Sequence, residues 1–316
     1  MTDRDWLAER FEDHRPHLRG VAYRMLGSLA EAEDTVQDAW LRVTRAETRD
    51  IDNLGGWLTT IVARLALDRL RARAARPEEP LAADLPDPIV TAVDADPEGH
   101  AVLADSVGLA LLIVLDTLTP AERLAFVLHD TFGVPFDQIA PIVERTPTAT
   151  RKLASRARQR VRGAARGRGV RSSSEATRAR QWAVVDAFVA AARDGDFEAL
   201  LRVLDQEVAI RADGGVAGGV GSVAAPAGPG GGLQEVRGAA AVAGQALRFR
   251  QLAPGARRAI VNGAPGAVVF AGDRLFAVMA FEIRGDVIVE MDFVTRPERL
   301  ARLGLNAEDW RAGPPG

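Results

Sequence analysis

The residues of this 316-residue chain best suited to chemistry are its cations. Between Pro147 and Arg171 nine basic residues occur without an acid: Arg151, Lys152, Arg156, Arg158, Arg160, Arg162, Arg166, Arg168 and Arg171. Lys152 is the only lysine in the sequence. A guanidinium stays charged at any relevant pH, and its planar fork matches phosphate oxygens and the acceptor edge of guanine. Clustered arginine therefore suits nucleic acid, although a solvated helix face is the plainer reading of such a run. The opposite bias lies between Pro77 and His100, where Glu78, Glu79, Asp84, Asp87, Asp94, Asp96 and Glu98 stand with no Lys or Arg. Asp213, Glu282 and Asp292 offer a different chemistry, that of a paired-carboxylate site. Little in the C-terminal region supports it. His14, His17, His100, His129 and the single Tyr23 all lie upstream, and Ser222 is its lone interior serine. The four histidines match no metal-ligand spacing, so no metal or other cofactor is expected. The absence of cysteine removes disulfides, thiolate zinc sites and Cys nucleophiles together.

Helices must carry most of these groups. Trp6, Phe11, Leu18, Val21, Ala22, Met25 and Leu26 recur at helical intervals over residues 5 to 76. From about Glu31 to Arg45, Val36, Ala39, Trp40 and Val43 form an apolar stripe, while Asp34, Gln37, Asp38 and Leu41 repeat that spacing on another face. A loop at Asp52 to Gly56 leads into a helix from Trp57 to Arg73, its apolar arc of Trp57, Leu58, Ile61, Leu65 and Leu70 flanked by Arg64 and Arg71. Asp68, four residues after Arg64, is placed to neutralise it within the helix. Pro77, Pro80, Pro86, Pro88 and Pro97 prevent a long helix in the acidic connector.

The most specific local signal spans residues 119 to 162. Thr119 suits an N-cap, Pro120 the first turn, and Glu122 the positive end of the dipole. That helix buries Leu124, Val127 and Leu128 and ends at Phe132-Gly133. A short helix from Pro135 follows, with Phe136, Ile139, Ala140 and Val143 as its apolar positions. A longer one starts near Thr148, with Leu153, Ala154, Ala157 and Val161 on one arc. Arg151, Ser155, Arg158 and Arg162 lie on the opposite arc, with Lys152 and Arg156 at its edge. A short helix, a tight turn and a basic amphipathic helix together resemble a DNA-reading helix-turn-helix. Pro141 should kink the short helix, and a left-handed Glu144 in the turn costs about 1 kcal/mol.

Beyond residue 176 the pattern changes. Trp182, Val185, Phe188, Val189 and Ala192 mark one helix; Phe197, Leu200, Leu201 and Leu204 mark another. Strand-like runs follow at 208–212, 259–262, 267–271, 275–283 and 287–295, the last two joined as a hairpin through Arg284, Gly285 and Asp286. Nine glycines in the nineteen positions from Gly214 to Gly232 suggest a loop. The composition, 47% hydrophobic and 26% charged, is that of a globular chain with more than one core. No apolar run approaches the roughly 18 residues of a membrane span. The N-terminus lacks the apolar core and cleavage site of a signal peptide. These features fit a cytoplasmic protein without membrane association.

The segments AYRMLGSLAEAEDTVQDAWLR (22–42), GWLTTIVARLALDRLRAR (56–73), LPDP (85–88), LTPAERLAFVLHDTFGVPFDQIAPIVERT (118–146) and ASRARQRVRG (154–163) resemble bacterial extracytoplasmic-function sigma factors. ADGG (212–215), VNGAPG (261–266) and RPERL (296–300) are similar to the subgroup with an appended SnoaL-like, or NTF2-like, domain. The resemblance implies two all-α domains, sigma region 2 and a region 4 helix-turn-helix, followed by a C-terminal α+β cone-shaped NTF2-like domain. The corresponding boundaries are 1–76, a linker at 77–104, 105–168, a linker at 169–175, 176–303, and a tail at 304–316.

The implied function is promoter-specific transcription initiation with core RNA polymerase, modulated by the chain's own C-terminal domain. By resemblance, Asp34, Gln37, Asp38 and Leu41 dock on the β′ clamp, and the β flap is a further polymerase contact. Asn53, Arg64 and Arg71 lie at the −10 element. Arg151, Lys152, Ser155 and Arg156 face the −35 element, with Arg158, Arg160 and Arg162 on phosphates. Leu85, Pro86, Asp87 and Pro88 work with Asp213, Gly214 and Gly215 in regulation, and the connector runs near the polymerase active-site channel. Two alternatives remain: a stand-alone helix-turn-helix regulator whose C-terminal domain senses a small ligand, and an NTF2-fold isomerase or cyclase fused to a DNA-binding module. The lack of acid–base donors counts against the second.

Overall fold

A computed structural model describes residues 3–45, 53–75, 85–93, 109–165, 175–213 and 234–310. The chain divides into two compact units: residues 1–79 with 111–167, and residues 80–110 with 168–316. The glycine-rich segment after Asp213, including Gly214 and Gly215, lies outside the described residues, as do the acidic stretches at 77–84 and 94–104 and the linker at 169–174.

The first unit is helical. Helix α1 (Asp3–Leu26) buries Leu7, Phe11, Leu18, Val21, Ala22 and Met25, the three- and four-residue spacing of a single face. Trp6, which shares the helical spacing, stays 40% exposed. Gly27, left-handed at φ 75°, ends the helix. Ser28 caps α2 (Leu29–Val43), where Ala32, Val36, Ala39 and Val43 are buried and Trp40 packs 5.0 Å from Phe11. Helix α3 (Leu54–Ala74) begins earlier than its apolar arc implies. The Asn53 side chain accepts the Gly56 N–H at 2.9 Å, so the expected loop at 52–56 is in part the first helical turn.

Helix α4 (Leu109–Asp116) precedes α5 (Pro120–Phe126), whose start is a full capping box. The Thr119 hydroxyl accepts the Glu122 N–H, and the Glu122 carboxylate accepts the Thr119 N–H at 3.2 Å. The helix then widens into a π-helical turn (Val127–Thr131), closed by the Phe132 N–H on the Val127 carbonyl at 3.3 Å. Helix α6 (Phe136–Val143) runs through Pro141, and Glu144 ends it in the left-handed conformation, φ 56° and ψ 46°. Helix α7 (Pro147–Ala165) follows.

The α1–α3 and α5–α7 groups pack together. Arg123, almost wholly buried and paired with Asp116, donates its Nε–H to the Arg24 carbonyl at 3.1 Å. The Arg24 guanidinium lies 4.9 Å from the centre of the Phe132 ring, against which His17 packs edge-on at 5.0 Å.

The second unit is a seven-stranded sheet with helices packed against it. Helix α8 (Glu175–Asp194) and α9 (Phe197–Val203, capped by Asp196) lead directly into β2 (Leu204–Ala212). Strand β3 (Gln234–Arg237) and α10 (Ala239–Arg248) follow. The rest of the sheet is β4 (Ala256–Val261), β5 (Ala264–Ala271), β6 (Arg274–Arg284) and β7 (Val287–Val294). Connector residues Val90–Ala92 form β1, antiparallel to β4 at one edge. The order is β1-β4-β5-β6-β7-β2-β3, antiparallel except where β2 runs parallel to β7.

Phe188 of α8 meets Phe281 of β6 edge-on at 5.7 Å in the core. Arg284 and Val287 pair, so the expected hairpin turns on Gly285 and Asp286 alone. The β4–β5 hairpin turns on Asn262 and Gly263, both left-handed, as an Asn-Gly type I′ turn demands. The short helix α11 (Pro297–Arg302) follows β7. Residues expected as a tail are packed: Trp310 is buried, its ring 6.4 Å from that of Phe270.

Candidate nucleic-acid and protein interfaces

Helix α7 is fastened by its inner face and by some of its cations. Ala154 and Ala157 are fully buried, with Leu153 and Val161 beside them half-buried. Arg160 pairs with the buried Glu122, so the acid that caps α5 also holds α7. Arg158 donates its Nε–H to Asp130 at 2.7 Å and is half-buried. Two of the three arginines expected on phosphates are therefore engaged by protein carboxylates. Arg162 is exposed and carries no ion pair among the described residues. Arg151, Lys152, Ser155 and Arg156 are also exposed, and Arg151 lies over the Phe136 ring at 5.4 Å from its centre. The outer face of α7 thus presents Arg151, Lys152, Arg156 and Arg162 to solvent, a geometry suited to a groove edge and its phosphates.

Helix α2 presents the opposite charge. Asp34, Gln37 and Leu41 are exposed and Asp38 is half-buried, so all four lie along one outer face. Leu41, at 49% exposure, is an apolar spot among polar neighbours, the composition of a protein-docking surface. Asp38 pairs with Arg69 of α3 at 2.6 Å, and Glu31 with Arg73, which fixes this face relative to α3.

On α3, Arg64 and Arg71 are exposed two turns apart, with Trp57 and Ile61 half-buried on the turns before them. Arg64 and Asp68 form no ion pair among the described residues. Arg71 reaches Glu144, in the turn before α7, at 3.8 Å. Asn53 is exposed, but its Oδ1 is committed to the α3 cap.

A third constellation lies in the second unit. Leu85, Pro86, Asp87 and Pro88 are all buried. Arg299 of α11 donates to Asp87 through Nε at 3.1 Å and Nη2 at 2.9 Å, and to Asp213 through Nη1 at 2.6 Å. The other oxygen of Asp213 accepts the Thr295 N–H at 2.7 Å and the Arg296 N–H at 3.2 Å. Asp87 and Asp213, 126 positions apart in sequence, thus meet on one buried guanidinium. The next residues are held by the β4–β5 turn. Asn262 Oδ1 accepts the Ile89 N–H at 2.6 Å, and the Asn262 N–H returns to the Ile89 carbonyl at 2.8 Å.

Sequence reasoning missed Arg299 and Asn262 as contact residues, although both lie in motifs it singled out. The Asn-Gly pair carried a hairpin signal that points to the turn. Nothing local points to Asp130 or Glu122 as the anchors of α7.

The carboxylates considered for acid–base work are not a free pair. Asp213 is bound as above, and buried Asp292 accepts from Arg211 at 2.8 Å, with Glu290 on the same guanidinium. Among the described residues no cluster of His, Cys, Asp or Glu could hold a metal ion, and no helix is long and apolar enough to cross a membrane.

Comparison with known proteins adds the following. Residues 10–76 match the family described as Sigma-70 region 2, and residues 109–161 match Sigma-70, region 4. The chain is 38% identical over 210 residues to the probable ECF RNA polymerase sigma factor SigI of Mycobacterium tuberculosis, covering 66% of this chain and 70% of that one. It is 48% identical over 152 residues to the ECF RNA polymerase sigma factor SigJ of the same organism, 48% of each chain. The crystal structure of Mycobacterium tuberculosis SigJ aligns with a TM-score of 0.69 at 30% identity, covering 93% of this chain and 98% of that one.

Proposed function

Because the chain belongs to the extracytoplasmic-function family of RNA polymerase sigma factors, we propose that its two outer helix faces divide the work of initiation. The α2 face of Asp34, Gln37, Asp38 and Leu41 docks on the β′ clamp of core polymerase, and the helical unit also meets the β flap. Asn53, Arg64 and Arg71 serve the −10 element. Arg151, Lys152, Ser155 and Arg156 read the −35 element, and Arg162 neutralises phosphate. The observation that carries this reading is an acidic, Leu41-centred face and an unpaired basic face on separate helices of one unit.

The second unit is read as a SnoaL-like regulatory domain acting on the initiation factor that carries it in the cytoplasm. The Arg299 bridge between Asp87 and Asp213 supports this, with Gly214 and Gly215 continuing the same motif. Arginine-bound carboxylates favour a holding role over catalysis there, since a general base needs an uncommitted carboxylate.

Transcription in vitro with core polymerase, comparing the full chain with a form ending near Ser174, tests both parts. Promoter-specific initiation that requires core polymerase is expected, with output that differs between the two forms. No initiation from any promoter in a genomic pool overturns the reading of the helical unit. Equal output from both forms overturns the regulatory one. Asp38→Lys should weaken core binding without unfolding the chain, because the Asp38–Arg69 pair it removes is partly exposed and worth about 1 kcal/mol or less. Unchanged core affinity rejects the docking assignment.

A further inference from the structure

The π-helical turn at Val127–Thr131 puts one more residue than an α-helix into the last turn before α6. Its consecutive side chains His129 and Asp130 both reach the helix pair that follows. His129 Nδ1 lies 3.0 Å from the Val134 carbonyl. A carbonyl only accepts, so Nδ1 carries the proton and the ring is fixed in plane. The Phe136 ring stacks on it, centre to centre 3.8 Å and 28° from parallel. Arg151 lies over that same Phe136 ring. Asp130 takes the Nε–H of Arg158, two turns further along α7.

The two anchors differ in what they leave available. A carboxylate holds an arginine by occupying its N–H donors, and Arg158 is held that way. An aromatic face holds the guanidinium plane and leaves the donor edge unoccupied. Among the described residues Arg151 makes no hydrogen bond, so its full fork remains for a base edge. Bidentate reading of guanine requires that plane to be set before contact, or its ordering opposes binding.

We infer that His129 and Phe136 are positioning residues for promoter selectivity: the His129–Phe136 stack, built on the π-helical turn, sets the plane of Arg151 and so the −35 base it prefers. This rests on the reading that Arg151 faces the −35 element.

The test uses holoenzyme formed from the full chain and core polymerase, on promoters randomised across the −35 element. Phe136→Leu keeps apolar bulk and removes the ring face; Phe136→Tyr keeps the ring. Arg151→Ala marks the position that Arg151 reads. Phe136→Leu should lose about tenfold of the preference at that same position, with other positions unchanged, and Phe136→Tyr should retain it. In the free chain, the heteronuclear NOE of the Arg151 Nε–H should fall in Phe136→Leu, as for a mobile side chain, and that of Arg156 should not. Uniform loss across all promoters in Phe136→Leu, or no loss where Arg151→Ala alters preference, overturns the positioning role. A silent Arg151→Ala overturns the −35 assignment of Arg151 and the inference built on it.

Discussion

Arg158 and Arg162 stand one helical turn apart on α7, yet their charges have different destinations. Arg158 is satisfied by Asp130, whereas Arg162 faces solvent. Arg162→Ala should therefore weaken every promoter alike and flatten the salt dependence by about 0.9 in log K against log salt, the value of one phosphate contact. Asp130→Ala should steepen it by a comparable amount, by releasing Arg158 to DNA. Arg156→Ala should change the −35 base preference by about 1–3 kcal/mol at one position, with little change in slope. Holoenzyme binding titrations across salt separate the three.

His17 adds a pH dependence. Burial, then the nearby cations His14 and Arg24, hold its imidazole below the ordinary histidine range. In that window the unfolded chain binds more protons than the folded one, so stability falls as pH drops below about 6.5. The stability difference between wild type and His17→Gln in denaturant melts should change with pH on the acid side and hold constant above neutrality.

Among the elements, the α6–α7 turn stores strain that the sequence announced. Glu144 occupies the left-handed conformation at which glycine is the better fit. Glu144→Gly should stabilise the helical unit by roughly 0.5–1 kcal/mol, less the contribution of its exposed contact with Arg71, a rise of a few degrees in Tm. Loss of stability would mean that the Arg71 contact outweighs the strain.

The periodic helices and the cap at Thr119 were legible because they depend on neighbours within a few residues. Helix α7 was legible as basic, but not which of its cations were already committed. Asp130 lies 28 positions from Arg158 and Glu122 lies 38 from Arg160, separations that no local pattern encodes. The connector misled for a related reason. Its prolines and acids read as a separate linker, whereas Leu85–Ile89 are buried and Val90–Ala92 extend the sheet through a partner more than 160 positions away. Asn262→Ala should orphan the Ile89 N–H at about 1–3 kcal/mol. Hydrogen exchange at residues 89–92 should rise accordingly, with that of β6 and β7 unchanged.

At the scale of the whole molecule, the Arg299 bridge ties the connector residue Asp87 to Asp213 and α11 inside the second unit. Its removal leaves Asp87 and Asp213 as two buried carboxylates without their shared cation, a loss of about 3–5 kcal/mol in such settings. Arg299→Ala should therefore shift transcription in the same direction as removal of the second unit, whichever that direction is. Opposite shifts would separate the bridge from regulation.

The contact between Arg71 and Glu144, at 3.8 Å, sets a ruler inside the helical unit. Positions −10 and −35 lie about 25 base pairs apart, roughly 85 Å of duplex at 3.4 Å a step. From Glu144 to Arg151 is seven residues, so even a fully extended backbone and outstretched side chains leave the two arginines about 40 Å apart at most. A chain that straddles both promoter boxes must unclasp α3 from the α6–α7 corner. Spin labels on those two elements should accordingly separate by tens of ångströms between the free protein and the promoter-loaded enzyme.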